Sequence, residues 1–168
     1  ADATASTAAE FNTINAATTV AIDFGNVTAL AASSLSDLST LATAIGNGSN
    51  EFTDASSLTT IAVSDTTIDA SSLLSRINSF DSINGLGTTG ITLVSGATIE
   101  LEASELAAIL DDEIGSRVTI SDQNIEVNSA AAISVANANK LDETTTGTVT
   151  ATIQASESVD KLETLTGS

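Results

Sequence analysis

Short stretches in which apolar and polar residues alternate recur along this chain. Each runs into Ala or Ser, and then into apolar residues at helical spacing. Alternation is typical of half-buried strands, whereas recurrence every three or four residues is typical of amphipathic helices. Glycine follows most of the helical stretches and predicts their ends. The pattern therefore predicts a repeated unit of strand, turn, strand, capped helix and glycine loop. The alternating stretches are residues 27–33, 68–71, 99–104, 125–129 and 153–156.

The first complete unit shows these signals clearly. Residues 27–32 predict a strand, and Ser33 or Ser34 predicts the helix N-cap, with Asp37 placed as in a capping box. Gly46 predicts the end of that helix. Its apolar stripe consists of Leu35, Leu38, Leu41, Ala42 and Ile45. The later units predict helix caps at Ser71 or Ser72, Ser104, Ser129 and Ser156.

The repeats predict a mixed α/β fold, a solenoid of stacked strand–turn–strand–helix units. A buried aliphatic side chain stabilises by about 1.5–3 kcal/mol, whereas ordering costs about 1–2 kcal/mol per residue. One unit has too few such side chains to fold alone, so neighbours must cover it. The alternative is a compact α+β domain in which repetition is a remnant of duplication. We expect an N-terminal arm over residues 1–17, a strand at 18–24, and an array over 18–168. Its units are predicted at 18–58, 59–90, 91–116, 117–147 and 148–168.

Charge excludes several classes of partner. The chain has 22 acidic and 4 basic residues, a formal net charge of −18. Nucleic-acid binding requires Lys and Arg at the phosphates, so it is excluded, and binding to anionic membranes is disfavoured for the same reason. An acidic surface tolerates high salt and suits a saline exterior. The absence of Met predicts a processed form or a fragment.

Two acidic clusters are candidate metal ligands. Calcium takes about six to eight oxygen ligands from carboxylates, carbonyls and water. Both clusters sit near the ends of predicted helices, beside Gly or Thr loops, where a cation would relieve the repulsion between acids and the helix dipole. No cofactor is required, and Ca²⁺ is the ion that these residues would admit; the alternative is a solvated acidic loop. The candidates are Asp111, Asp112, Glu113, Asp142 and Glu143.

The sequence argues against catalysis. Without His or Cys, imidazole-based triads and thiol nucleophiles are excluded. Paired carboxylates can hydrolyse glycosides, and Glu100 with Glu102, or Asp65 with Asp69, offer such pairs. Sugar sites usually also provide aromatic platforms, and this chain has only four Phe and no Trp or Tyr. We therefore predict that the chain is not an enzyme and that it has no catalytic residues.

Several phrases resemble a known class of repeats. Residues 118–122, 147–153 and 162–167 resemble the Thr/Ala/Ser-rich repeats of giant bacterial cell-surface proteins of the cyanobacterial type. The resemblance covers about residues 60–168, and 18–58 less clearly. It extends distantly to the non-calcium regions of repeats-in-toxin adhesins, whose G-G-x-G-x-D calcium motif is absent here. The resemblance implies secretion, a surface or matrix role and no catalysis.

The leading hypothesis is an extracellular or cell-surface structural and adhesive repeat protein, part of a fibre, filament or sheath. Its alternatives are a virion fibre or surface-layer lattice component, and a carbohydrate-active β-solenoid enzyme. We predict end-to-end self-association, as a homopolymer or within a longer chain. The predicted strand at 18–24 and the last unit both present edges that another strand can pair with.

Overall fold

A computed structural model describes residues 6–47, 51–83, 86, 89–110, 117–128, 130 and 132–166 of the chain. It divides into two compact units, unit 1 from Ala1–Asp65 and Leu73–Leu93, and unit 2 from Thr66–Ser72 and Val94–Ser168. Helices and parallel sheets occur together, so the predicted mixed α/β class is confirmed. No helix within these described ranges combines the length and apolar character needed to cross a membrane.

Helices and strands alternate along the chain. The α-helices are α1 (Ala8–Ala17), α2 (Leu35–Gly46), α3 (Ala70–Asp81), α4 (Leu106–Ile109), α5 (Val135–Thr144) and α6 (Val159–Leu162), and a 3-10 helix spans Ala55–Ser57. The strands are β1 (Ile22–Asp23), β2 (Ala29–Ser33), β3 (Phe52–Thr53), β4 (Thr60–Val63), β5 (Thr67–Asp69), β6 (Gly90–Leu93), β7 (Thr98–Leu101), β8 (Val118–Thr119), β9 (Asn124–Val127) and β10 (Val149–Thr150).

Unit 1 contains a parallel sheet in the order β2-β4-β6, and a separate parallel pair of β1 and β3. Leu30 lies opposite Ile61, and Ile61 lies opposite Ile91. All three side chains are buried, because every second residue of a strand faces the same side. Aliphatic residues thus stack on one another from strand to strand.

The N-terminal segment differs from the expected arm, because residues 8–17 form helix α1. Thr7 caps it, accepting from the Glu10 amide while the Glu10 carboxylate accepts from the Thr7 amide. The buried Phe11 ring packs against Phe24, with 4.5 Å between ring centroids. The strand expected at 18–24 is correspondingly shorter, since only Ile22–Asp23 pairs as β1.

Unit 2 contains a second parallel sheet, in the order β5-β7-β9-β10. Ile68, Ile99 and Ile125 lie opposite one another on successive strands and are buried. Val149 of β10 continues the row opposite Ile125. Equivalent inward positions therefore coincide across four strands, although the loops between them differ in length.

The cap predicted at Ser34 is confirmed, because its hydroxyl accepts from the Asp37 amide. The prediction of Ser71 or Ser72 was wrong, since α3 begins at Ala70 and the Asp69 carboxylate accepts from the Ser72 amide. A carboxylate is the stronger acceptor, and the hydroxyls of Ser71 and Ser72 donate to it.

The caps predicted at Ser104 and Ser156 also differ from the structure. Helix α4 begins after Glu105 rather than Ser104, with no side-chain cap, and Ser129 lies outside the described residues. Helix α5 starts later than expected because Ile133 forms a parallel bridge with Ile153. The observed caps of α5 and α6 are Ser134 and Ser158, and the prediction of Ser156 was wrong.

Candidate functional site

Three carboxylates lie side by side on the outer surface of the unit 2 sheet. Asp69 of β5 pairs with Glu100 of β7, and Glu100 pairs with Glu126 of β9. Adjacent strands lie about 4.8 Å apart, so these side chains are direct neighbours. We call Asp69, Glu100 and Glu126 the acidic row.

The alternation of the strands explains why the row is exposed. Each of its members follows a buried isoleucine of the same strand, so its own side chain faces the opposite side, toward solvent. Like charges directly opposite one another on neighbouring strands are destabilising. The row therefore concentrates negative potential on one face and favours cations near it as counterions.

A shallow depression of about 300 Å³ lies over the row. The Asn128 side-chain amide at its border donates to the Glu102 carboxylate. Carboxylate and amide oxygens dominate this surface, and its described lining residues include no Lys, Arg or aromatic ring. The depression is lined by Asp69, Glu100, Leu101, Glu102, Glu126 and Asn128.

Asp69 has a second role at the start of α3. The Ser71 hydroxyl donates to its carboxylate, as do the hydroxyl and the amide of Ser72. These hydrogen bonds favour the charged form and lower the pKa of Asp69 below its ordinary value, with the Ser71 hydroxyl contributing most. Asp69 thus stays ionised to lower pH than an ordinary aspartate.

The structure describes two of the five predicted metal ligands. Asp142 and Glu143 lie in the last turn of α5, within Val135–Thr144. Asp111, Asp112 and Glu113 lie outside the described residues. In the part of the chain that the structure describes, no three acidic side chains are arranged to hold a metal ion. Calcium binding therefore stays a prediction.

The carboxylates considered for sugar chemistry also have structural contacts. Asp65 accepts a hydrogen bond from the Leu35 amide at the start of α2. Asp69 is bonded at the start of α3, and Glu102 accepts from Asn128. Glu100 of β7 and Glu102, directly after that strand, line the same exposed depression. The absence of catalysis stays a prediction.

Sequence reasoning missed a recurring contact at the helix starts of unit 1. The amide of the first helical residue has no acceptor within its own helix. In α1 this amide, of Ala8, donates to the Ser33 hydroxyl, 2.9 Å away. In α2 the Leu35 amide donates to the Asp65 carboxylate at 2.8 Å. The acceptors lie 25 and 30 residues further along the chain.

The same helix-start contact occurs in unit 2. The Val135 amide, first in α5, donates to the Glu157 carboxylate, 22 residues further on. Lys161 forms an ion pair with Glu157 at 3.1 Å and holds it in place. In each of the three contacts, an oxygen of a later segment completes the start of an earlier helix. Only the Ser or acidic residues near the next helix could have suggested this from the sequence.

Large apolar side chains are exposed in two segments of the described residues. One segment lies in and after α1, and the other in and after α6. These side chains are 41–73% exposed. They are Ile14 and Val20 in the first segment, and Val159, Leu162 and Leu165 in the second.

Comparison with known proteins found no matching family model, no matching curated protein and no matching solved structure.

Proposed function

We propose that this chain is a non-catalytic structural and adhesive repeat protein of the cell exterior, part of a fibre, filament or sheath. The stacking of equivalent residues on successive parallel strands carries this proposal. Isoleucine lies on isoleucine in both sheets, as at Ile61 with Ile91 and at Ile99 with Ile125. Such repetition is typical of solenoids, in which each coil contacts only its neighbours.

Polar side chains support the same interpretation, because they join one coil to the next. The Thr59 and Thr89 hydroxyls each donate to a carbonyl 31 residues earlier in unit 1. In unit 2 the Thr145 hydroxyl donates to the Gln123 carbonyl, and the Asn124 side chain bonds both Gly96 and Thr148. These Thr and Asn side chains therefore form hydrogen bonds between successive coils, and the hydrogen bonds oppose separation of the coils.

The charge of the chain supports an exterior location. With a net charge of −18, copies repel one another at low salt, whereas high salt screens the repulsion. The acidic row would collect cations, and we propose that divalent ions such as Ca²⁺ act there as counterions rather than as cofactors. Nucleic acids and anionic membranes are disfavoured as partners.

Immunogold electron microscopy of intact cells that produce the chain tests this function. We expect label along extracellular fibres or a sheath. A regular lattice would favour a surface layer instead, and label on virus particles would favour a virion fibre. Label confined to the cell interior would overturn the proposal.

A matched pair of variants links the surface role to the stacked strands. Ile99→Asp places a charge at a fully buried position of β7, whereas Glu100→Gln changes the exposed neighbour on the same strand. We expect the first variant to be missing from the surface structures and the second to be present. Equal incorporation of both would contradict a role for the stacked strands.

A further inference from the structure

An exposed asparagine in the turn between β1 and β2 begins a three-residue glycosylation motif. N-linked glycans attach to Asn in the pattern Asn-X-Ser/Thr, in which X is any residue except Pro. Asn26, Val27 and Thr28 match this pattern. We propose that Asn26 is a glycan acceptor, and that the sugar donor is a lipid-linked oligosaccharide diphosphate. The inference rests on the proposed exterior location, because this modification belongs to surface loops of exported chains.

The backbone places Asn26 at the tip of a β-turn. The Val27 amide donates to the Phe24 carbonyl at 2.8 Å and closes the turn. Gly25 and Asn26 are its two central residues. The Asp23 carboxylate accepts from the Gly25 amide at 2.7 Å and holds the first half of the turn. Phe24 is fully buried, whereas Gly25 and Asn26 are exposed. The buried ring therefore anchors the turn, and the tip of the turn faces solvent.

The acceptor and the hydroxyl of the motif are not used by the fold. The Asn26 side-chain amide and the Thr28 hydroxyl have no hydrogen-bond partner among the residues that the structure describes, and both side chains are exposed. Thr28 contributes to the fold through its backbone carbonyl, which accepts from the amide and the hydroxyl of Thr59. A glycan is bulky and hydrated, and Asn26 can carry one without losing an internal contact.

The chain contains a second match to the motif, at Asn47, Gly48 and Ser49. Asn47 is the C-cap of α2, and its backbone amide donates to the Thr43 carbonyl. Gly48 and Ser49 lie outside the described residues. Only the match at Asn26 is therefore supported by the surroundings of all three of its residues, and Asn47 provides the comparison within the same chain.

The transfer of the glycan forms one bond and breaks another. The Nδ2 atom of Asn26 bonds to the anomeric carbon of the first sugar of the donor. The bond between that carbon and the diphosphate oxygen breaks, and its electron pair leaves with the lipid diphosphate. Nδ2 loses one proton to a base of the transferase, so neither an oxidant nor a reductant takes part. The Thr28 hydroxyl serves recognition of the motif.

The aromatic residues favour a chain that carries sugar over a chain that binds it. Ligand pockets are lined mainly by apolar and aromatic side chains, with a few polar groups that fix orientation. All four Phe side chains of this chain are buried, so none offers a platform on the surface. They are Phe11, Phe24, Phe52 and Phe80.

Peptide mapping by mass spectrometry of the full chain, purified from the cells that produce it, tests the proposal. We expect the peptide that contains Asn26 to carry an oligosaccharide, and fragmentation that preserves the glycan to locate it on Asn26. Asn26→Gln and Thr28→Ala should each lose this glycan completely. Thr28→Ser retains the hydroxyl and should keep it. Asn47→Gln is the matched control and should also keep the glycan on Asn26. Asn26, Thr28 and Asn47 are exposed, so the fold should be retained.

The outcomes separate this inference from the proposed function. An unmodified Asn26 in the exported wild-type chain would overturn the inference. A glycan on Asn26 that persists in Thr28→Ala would overturn it too, because the motif would then not direct the transfer. Immunogold label on the cell exterior together with an unmodified Asn26 would leave the proposed function standing. Label confined to the cell interior would overturn the proposed function, and this inference with it.

Discussion

The backbone amide of Val135 donates to the carboxylate of Glu157, 22 residues further along the chain. This contact completes the first turn of α5, whose leading amide has no partner within the helix. The Asp65 carboxylate does the same for Leu35 of α2. A later segment of the chain thus contributes to the stability of an earlier helix.

Removing either acceptor should destabilise the fold. Glu157→Ala and Asp65→Ala each leave a partly buried amide without a partner, at a cost of about 1–2 kcal/mol. Glu157→Gln retains an acceptor oxygen and should lose less. Urea unfolding measures the free energy of unfolding. Glu163→Ala, an exposed acid of the same segment, is the control. Equal stability of Glu157→Ala and this control would contradict the role of the contact.

The central strands of unit 2, β5, β7 and β9, could be predicted from the sequence because alternation directly indicates which residues face the core, whereas β1 was predicted too long and β3 was missed. The helix starts could not be predicted as well, since neighbouring oxygens compete for the same amide. At α3 the Asp69 carboxylate takes the Ser72 amide that a serine hydroxyl was expected to accept. Helix α1 has only a weak apolar stripe, and its buried Phe11 packs against Phe24, which in turn packs against Phe52.

The acidic row could not be predicted from the sequence for a different reason. Glu100 and Glu126 are visible as polar positions in two alternating stretches, but their adjacency depends on strand register. Loops of different length separate the strands, so sequence spacing alone does not give that register. Local acid density pointed instead to clusters such as Asp142 and Glu143, which are neighbours in sequence. Contacts between distant residues therefore formed the part of the site that was missed.

Gly147→Ala should be strongly destabilising. A Cβ atom at this position would lie 2.6 Å from the backbone carbonyl carbon of Gln123 and would also clash with its oxygen. Because these are backbone atoms, the strand or the loop must shift, at a cost of about 2–3 kcal/mol. Gly90→Ala is the matched control, since its Cβ would lie 3.7 Å from the Thr59 carbonyl oxygen, an ordinary contact. Thermal unfolding of both variants measures the difference, and similar melting temperatures would show that the close approach is absent.

The hydrogen bonds to Asp69 should make its titration depend on Ser71 and Ser72. They lower the pKa of Asp69 in the folded state, so their stabilisation is present above the ordinary aspartate pKa. It is lost as the pH falls through the lowered pKa. In Ser71→Ala with Ser72→Ala, we expect the pKa of Asp69 to rise toward its ordinary value. Carbon-detected NMR of the carboxyl group measures it, with Ser75→Ala as the control. An unchanged pKa would contradict the assigned cause.

Glu100→Gln should stabilise the chain at low salt. Glu100 lies between Asp69 and Glu126, so neutralising Glu100 removes its repulsive interactions with both neighbouring carboxylates of the acidic row. Like charges on adjacent strands cost a few tenths of a kcal/mol, and we expect a gain of about 0.5 kcal/mol in the free energy of unfolding. The gain should shrink at high salt, because screening weakens the repulsion in the wild-type chain.

Glu143→Gln is the comparison for this prediction, since it removes the same charge from an exposed position outside the row, in the last turn of α5, where only the helix dipole disfavours an acid. Urea unfolding at low and at high salt measures both variants. A larger salt-dependent gain in Glu100→Gln than in Glu143→Gln would follow from the register of β5, β7 and β9. An equal gain in the two variants would show that net charge, rather than the row, limits stability.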